Sequence, residues 1–366
     1  MSKKLRVAIL FGGKSAEHEV SLQSAKNVIE AIDKNKYEVV LIGIDKDGRW
    51  HLNQPSRFLL NADDPNLIAL NKSDQSVAFL PGTTGEMTDL TQGHELGKID
   101  VVFPVLHGTF GEDGTVQGLL KLAEIPFVGA SVLGSSVGMD KDVTKRLLRD
   151  AGIPIAKFLA FGQESRASID FKKVKKELGA PLFVKPCNMG SSVGINKVSD
   201  EDGFKQAIED AFKYDNKILI EEYIKGREIE CSVLGNENPV ASLPGEVIPH
   251  HEFYSYEAKY IDENGATLGA PAKLPGDIIQ RVQGLAVETF KTLCCEGLAR
   301  VDFFLKSDGE VVVNELNTLP GFTKISMYPK LWEASGISCT ELIDRLIQLA
   351  IERFEKEKIL KTTFSN

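Results

Sequence analysis

Apolar residues in this chain change period several times, and each change marks an element. Positions 5–11 form a run that is apolar but for Arg6 and is closed by Gly12-Gly13, the pattern of a strand buried on both faces. Val20, Val28, Ile29 and Ile32 then fall on one helical face, with Ser15 available as a cap, which predicts a helix ending at Ile32. A second apolar strand follows at 38–44, and strand–helix–strand order predicts a parallel unit. From 50 to 97 the pattern dissolves into polar and turn residues, so an insertion with little regular structure is expected. Order returns at 100–106, a strand running into His107-Gly108. Ligands in such sheets sit at the carboxyl ends of strands, so Gly12-Gly13 and His107-Gly108 should open on one crevice.

Beyond about residue 138 the arrangement changes. A strand delivers Lys185 and Pro186 into a small, flexible loop, Gly190-Ser191-Ser192-Val193-Gly194. A further apolar strand, 217–222, ends in Glu221 and Glu222 and is followed by a turn at Gly226. Three tyrosines and Lys259 precede a polar, glycine-bearing loop, so 254–271 reads as an active-site lid or a packed surface loop. Near the end, Thr340 is placed to cap a helix whose inner stripe is Leu342, Ile343, Leu346, Ile347 and Ala350. The division predicted is 1–138, 139–235 and 236–366.

The stretch RVDFFLKSDGEVVVNELNTLPG, 300–321, carries the most chemistry. Two β-rich runs flank Asp308-Gly309, a dipeptide that favours a two-residue hairpin turn. That turn sets Ser307 against Glu310, Asp302 against Glu315 and Arg300 against Asn317, all four of the latter on one face. A three-residue turn with a bulge would shift this register. Facing carboxylates repel, so a cation should lie between them. An Asp, a Glu and an Asn amide oxygen are hard ligands suited to Mg²⁺ bridged to phosphates. The plainer alternative is a solvated polar face.

Composition narrows the classes. At 366 residues the chain suits two or three domains, and its 42% hydrophobic content argues against disorder. A net charge of −9 disfavours nucleic-acid binding. No segment approaches the apolar length of a membrane span, and a cytoplasmic location is expected. Five cysteines without CxxC spacing predict neither disulfides nor zinc. Gly13-Lys14-Ser15 mimics the end of a P-loop, but Ala8 stands where that motif needs glycine. Glu17 beside the crevice could hold an ammonium group or simply complement the helix dipole. The peptide groups after Glu221 could read an adenine edge, with a nearby acid on ribose, or form an ordinary strand end.

In order along the chain stand GGKSAEHEVS at 12–21, HGTFGEDG at 107–114, MDK at 139–141, KP at 185–186 with GSSVG at 190–194, EAKY at 257–260 and NELNTLPG at 314–321. Together they resemble the D-alanine–D-alanine ligases of the ATP-grasp superfamily over nearly the whole chain, with 50–97 similar to the insertion of longer bacterial members. The resemblance implies an α/β chain, α+β in its grasp parts, with a Rossmann-like parallel-sheet domain first. It implies ATP-dependent joining of two D-alanines through an acyl phosphate, for peptidoglycan precursors, with two Mg²⁺ or Mn²⁺ ions and a homodimer. By the family pattern Asp302, Glu315 and Asn317 hold metal, while Lys141, Lys185, Ser192 and Lys259 line the phosphates. Glu221, Glu222, Tyr223 and Ile224 form the adenine edge, and Glu228 reaches ribose. Glu17 takes the first ammonium in a network with Ser191 and Tyr260. His107 lies near the substrate carboxylates, Ser326 and Met327 hold the second one, and Arg300 with the Gly321 amide stabilises the oxyanion. A D-alanine–D-lactate ligase and a non-catalytic nucleotide-binding regulator are the competing readings; Tyr260 and the intact ligand set count against them.

Overall fold

The computed structural model of the chain describes residues 3–65, 67–250, 265–361 and 363–364. Its first sheet runs Trp50–Asn53, Tyr37–Ile44, Leu5–Gly12, Val101–Val105. The last three strands are parallel, in keeping with their largely apolar runs, and Val7, Ile9 and Phe11 are fully buried. The connecting helix is His18–Ala31, shorter than expected at its start. Ser15 does not cap it; its hydroxyl accepts the Glu17 N–H (3.1 Å) and closes a local turn. Glu17 thereby occupies the cap position at the strand end.

The 50–97 stretch departs from expectation. Val77–Phe79, Glu86–Asp89 and Glu95–Lys98 form an antiparallel sheet, and Leu59–Leu60 pairs with Ala69–Leu70. Val77–Phe79 and Glu86–Asp89 bury only alternate side chains, Val77, Phe79, Met87 and Asp89, and Leu59–Leu60 and Glu95–Lys98 bury none, so average polarity conceals these strands.

The middle sheet is antiparallel, ordered Phe158–Gly162, Lys217–Glu222, Leu182–Pro186, Asn196–Val198. Helices Phe171–Leu178 and Glu201–Ala211 cover it through Val174, Leu178, Phe204 and Ile208. The last sheet is centred on Arg227–Gly235, Gly297–Leu305 and Val311–Asn317. The terminal helix Cys339–Lys358 is capped by Ser338, whose side chain accepts the Glu341 N–H, and Thr340 lies within its first turn. Its apolar stripe joins one core with Leu22, Phe103 and Phe322, locking the last part of the chain onto the first sheet.

The hairpin reaches the expected register by an unexpected route. Lys306, not Ser307, faces Glu310, which leaves a three-residue turn with Gly309 at φ +86°. That shifts the pairing to Leu305 opposite Val311. A bulge at Asn314 then shifts it back, restoring Asp302 opposite Glu315 and Arg300 opposite Asn317. The bulge aims the chemical face and leaves the apolar face of the sheet in the core.

Candidate active site

At the corrected end of the hairpin, Arg300 lies between two acids, Asp302 and Glu230 of the adjacent strand, rather than between Asp302 and Glu315. Its guanidinium bonds Asp302 (2.7 Å) and pairs with Glu230 (3.0 Å). Asn317 donates its Nδ2 to Asp302 (3.0 Å), which turns the amide oxygen away from that carboxylate. Among the described residues no three His, Cys, Asp or Glu side chains gather into a metal site by themselves. The face offers two carboxylates and an amide oxygen, a hard donor set that fits Mg²⁺ or Mn²⁺ with phosphate oxygens completing the shell.

One cleft brings Glu315 and Asn317 of this face together with Lys141, Lys145, Ser191, Ser192 and Glu112. Lys145, which the sequence reading missed, forms a buried ion pair with Glu221, and Lys185 holds the other Glu221 oxygen (2.6 Å). Burial pushes the Glu221 carboxyl up, but the charges of Lys145 and Lys185 outweigh it and hold it at about 2. The same burial lowers Lys145 on balance, whereas Lys185 ends raised because Glu221 outweighs its desolvation. The available signal was spacing: Lys145 stands one turn beyond Lys141 on the helix Lys141–Asp150. Lys141 itself donates to the Met189 carbonyl (2.6 Å) and so steadies the serine loop.

At the crevice of the first sheet, Ser191 donates a hydrogen bond to Glu17 Oε1 across 174 residues of sequence. Backbone closes around the other Glu17 oxygen. A Cβ built on Gly108 would lie 2.6 Å from Oε2, and one on Gly190 would lie 2.8 Å from it. These glycines permit the loops from two sheets to touch one carboxylate. Ser191 and Ser192 both sit at positive φ, 48° and 62°, a strained bend that aims the loop into the cleft.

His107 is buried, and both ring nitrogens are engaged: Nδ1 with the Leu319 carbonyl (2.9 Å), Nε2 with the Ser24 hydroxyl (3.1 Å). Burial lowers its pKa, which favours the neutral ring. Glu112, a motif residue given no role from sequence, accepts from the Gly108 N–H (2.6 Å) and the Leu319 N–H (3.1 Å). Burial, then the charge of Glu17, pushes it up to about 8. Ser326 accepts the Thr323 N–H (2.9 Å) and precedes the helix Met327–Ala334, and a Cβ built on Gly321 would lie 2.7 Å from the Ser326 hydroxyl oxygen.

The strand Lys217–Glu222 leads into the expected adenine edge, with one adjustment. The Glu222 N–H donates to the Lys157 carbonyl (3.0 Å) and its carboxylate accepts the Lys157 N–H (2.7 Å), so Glu222 is tied to the neighbouring strand. Tyr223 is exposed, and its ring lies tilted against that of Phe183. Glu228 is the second residue of the strand Arg227–Gly235 and adds to the charge around Lys185. Lys259, Tyr260 and the 251–264 part of the expected lid lie outside the described residues.

Two family models match the chain: D-ala D-ala ligase N-terminus over residues 6–130 and D-ala D-ala ligase C-terminus over 147–348. The chain belongs to the D-alanine–D-alanine ligase family. It is 60% identical to a D-alanine–D-alanine ligase of Shouchella clausii, over 99% of both chains. It is 56% identical to D-alanine–D-alanine ligase A of Escherichia coli, over 99% of this chain and all of that one. A solved D-alanine–D-alanine ligase from Coxiella burnetii superposes with a TM-score of 0.83 at 40% identity, covering 98% and 97% of the two chains. The fold is therefore the ATP-grasp fold of this family. A D-Ala:D-Ser ligase from Enterococcus faecalis superposes equally well, TM-score 0.83 at 37% identity, over 95% of this chain and all of that one. Within this family the fold alone does not choose the second substrate.

Proposed function

We propose that the chain joins two D-alanines to D-alanyl-D-alanine at the expense of ATP, forming an acyl phosphate and releasing ADP and phosphate, in the supply of peptidoglycan precursors. The observation that carries this reading is the Glu17–Ser191 contact at the edge of a cleft that Lys141, Lys145, Glu315 and Asn317 also line, with Asp302 opposite Glu315 on the hairpin. A carboxylate must be activated before an amine displaces it, so phosphate binding and substrate binding have to meet in one place. Family membership implies ATP and a divalent metal; the finer assignment is two Mg²⁺ or Mn²⁺ ions held by Asp302, Glu315 and Asn317. Metal bound there supplies neutralisation of phosphate charge.

The chain's own groups divide the remaining work. Lys141 and Lys185 attract the phosphates, joined by Lys259, and Ser192 contributes its loop amide and hydroxyl. Glu221, the backbone from Glu222 to Ile224, and Glu228 receive adenine and ribose; with the Glu222 N–H committed to Lys157, the Glu222 carbonyl and the Ile224 amide are the groups assigned to adenine. Glu17 holds the first ammonium, and Ser191 with Tyr260 completes the network. Ser326 and the Met327 amide take the second carboxylate, and Arg300 with the Gly321 amide stabilises the tetrahedral oxyanion. His107 acts near the substrate carboxylates through the backbone it holds. Residues 254–271 close over the acyl phosphate to exclude water. The working parts are 1–138, 139–235 and 236–366, with the strand Arg227–Gly235 carrying the middle part into the last sheet. The protein acts as a cytoplasmic homodimer; among the described residues no helix is long and apolar enough to cross a membrane.

The test is phosphate release and dipeptide formation with ATP and D-alanine, with D-serine and D-lactate in competition. A product carrying D-serine in preference to D-alanine would replace this reading with the one suggested by the Enterococcus faecalis neighbour, and one carrying D-lactate would replace it with a D-alanine–D-lactate ligase. ATP binding without turnover on any of the three would favour a regulator.

A further inference from the structure

Residues 319–322 belong to the last part of the chain, yet groups from the first part hold them. The Leu319 carbonyl accepts from His107 Nδ1 (2.9 Å), and the Leu319 N–H donates to Glu112 Oε1 (3.1 Å). Three residues on, the Phe322 N–H donates to the Ser24 hydroxyl (3.1 Å) and the Phe322 carbonyl accepts from Asn27 Nδ2 (2.9 Å). Both peptide groups of two residues are thus satisfied from outside their own sheet, over separations of 207 to 298 positions. Ser24 also donates to His107 Nε2, so the two ends of the grip share one side chain. Between the gripped residues lie Pro320, which has no N–H, and Gly321, whose N–H has no partner among the described residues.

We infer that Ser24, Asn27 and Glu112 are positioning residues that aim the Gly321 amide into the cleft and fix the first sheet against the last. The inference rests on the oxyanion role proposed for Gly321. Four hydrogen bonds on the flanking peptides leave that amide in one direction while keeping it unspent. A donor to an oxyanion must be set before charge develops, and displacement of about 1 Å can cost on the order of 100-fold in rate. Phe322 adds a ring contact to Phe103 at 6.0 Å, which anchors the loop's far end in the core.

Three substitutions test it: Ser24→Ala, Asn27→Ala and Glu112→Gln. In the last, an amide NH₂ must face either the Gly108 or the Leu319 N–H. Each variant is expected to lose at least 10-fold in kcat on D-alanine, while ATP affinity stays within about twofold and the unfolding midpoint shifts by only a few degrees. Ser24→Thr, which keeps the hydroxyl, should restore most of the rate. A merely structural role predicts the reverse pattern: a lowered midpoint with unchanged kcat per folded molecule. If the parent chain makes dipeptide and all three variants keep kcat within twofold, the positioning role is wrong and the functional reading stands. If the parent itself makes none under ATP and metal saturation, the functional reading fails first.

Discussion

Replacing Lys145 with Met removes one cation from the buried lysine–glutamate–lysine cluster at nearly constant volume. Glu221 is almost fully buried and sits between Lys145 and Lys185. Holding its carboxyl at about 2 instead of the ordinary 4.5 corresponds to about 3 kcal/mol of folded-state stabilisation. Breaking a buried pair by deleting one member costs about 3–5 kcal/mol, and Lys185 remains to soften the loss. Lys145→Met should therefore lower stability by about 2–3 kcal/mol at pH 7 and weaken ATP binding about 10-fold through the freed Glu221. The pH dependence has a definite sign. A depressed carboxyl contributes in full above about pH 4.5 and loses its contribution as pH falls toward about 2. The gap between parent and variant should accordingly narrow between pH 5 and pH 3. Urea unfolding of both proteins across that range, with nucleotide titrations at pH 7, measures each quantity. A difference below 1 kcal/mol at pH 7, or one that does not change with pH, would refute the electrostatic account. Adding Glu221→Gln to Lys145→Met should recover part of the lost stability, because the uncompensated charge is then gone.

Three further outcomes are expected. Glu315→Gln keeps the hairpin pairing with Asp302 but removes a metal-facing charge, so unfolding stays within about 1 kcal/mol of the parent while turnover drops 100-fold or more; near-parental rates at low Mg²⁺ would contradict the metal assignment. Gly190→Ala puts a methyl 2.8 Å from Glu17 Oε2 and must displace one of them, so kcat/KM for D-alanine should fall about 10-fold with ATP affinity kept. Ser338→Ala removes the hydroxyl that accepts the Glu341 N–H, and chemical denaturation should show a loss of about 1 kcal/mol with unaltered activity.

Local pattern was enough for the frame of the molecule. Mostly apolar runs, broken only by Arg6 and Glu38 near two strand starts, announced the parallel strands Leu5–Gly12, Tyr37–Ile44 and Val101–Val105, because a strand covered on both faces has little polar side to display. Helical spacing announced the buried stripe of the terminal helix, and residue type announced the oxygen-rich face of the hairpin. What adjacency could not encode was decided in three dimensions. The facing of Asp302 and Glu315 depends on a three-residue turn and a bulge at Asn314 that cancel, and a shift of one residue in either alone would turn the face over. The short strands of 50–97 are defined by partners rather than by their own composition, since each buries too few side chains to stand out. Lys145 finds Glu221, Ser191 finds Glu17, and Ser24 finds Phe322 across 76, 174 and 298 positions. The energy of such contacts belongs to pairs of groups that meet only after the sheets have packed, so no window along the chain contains it.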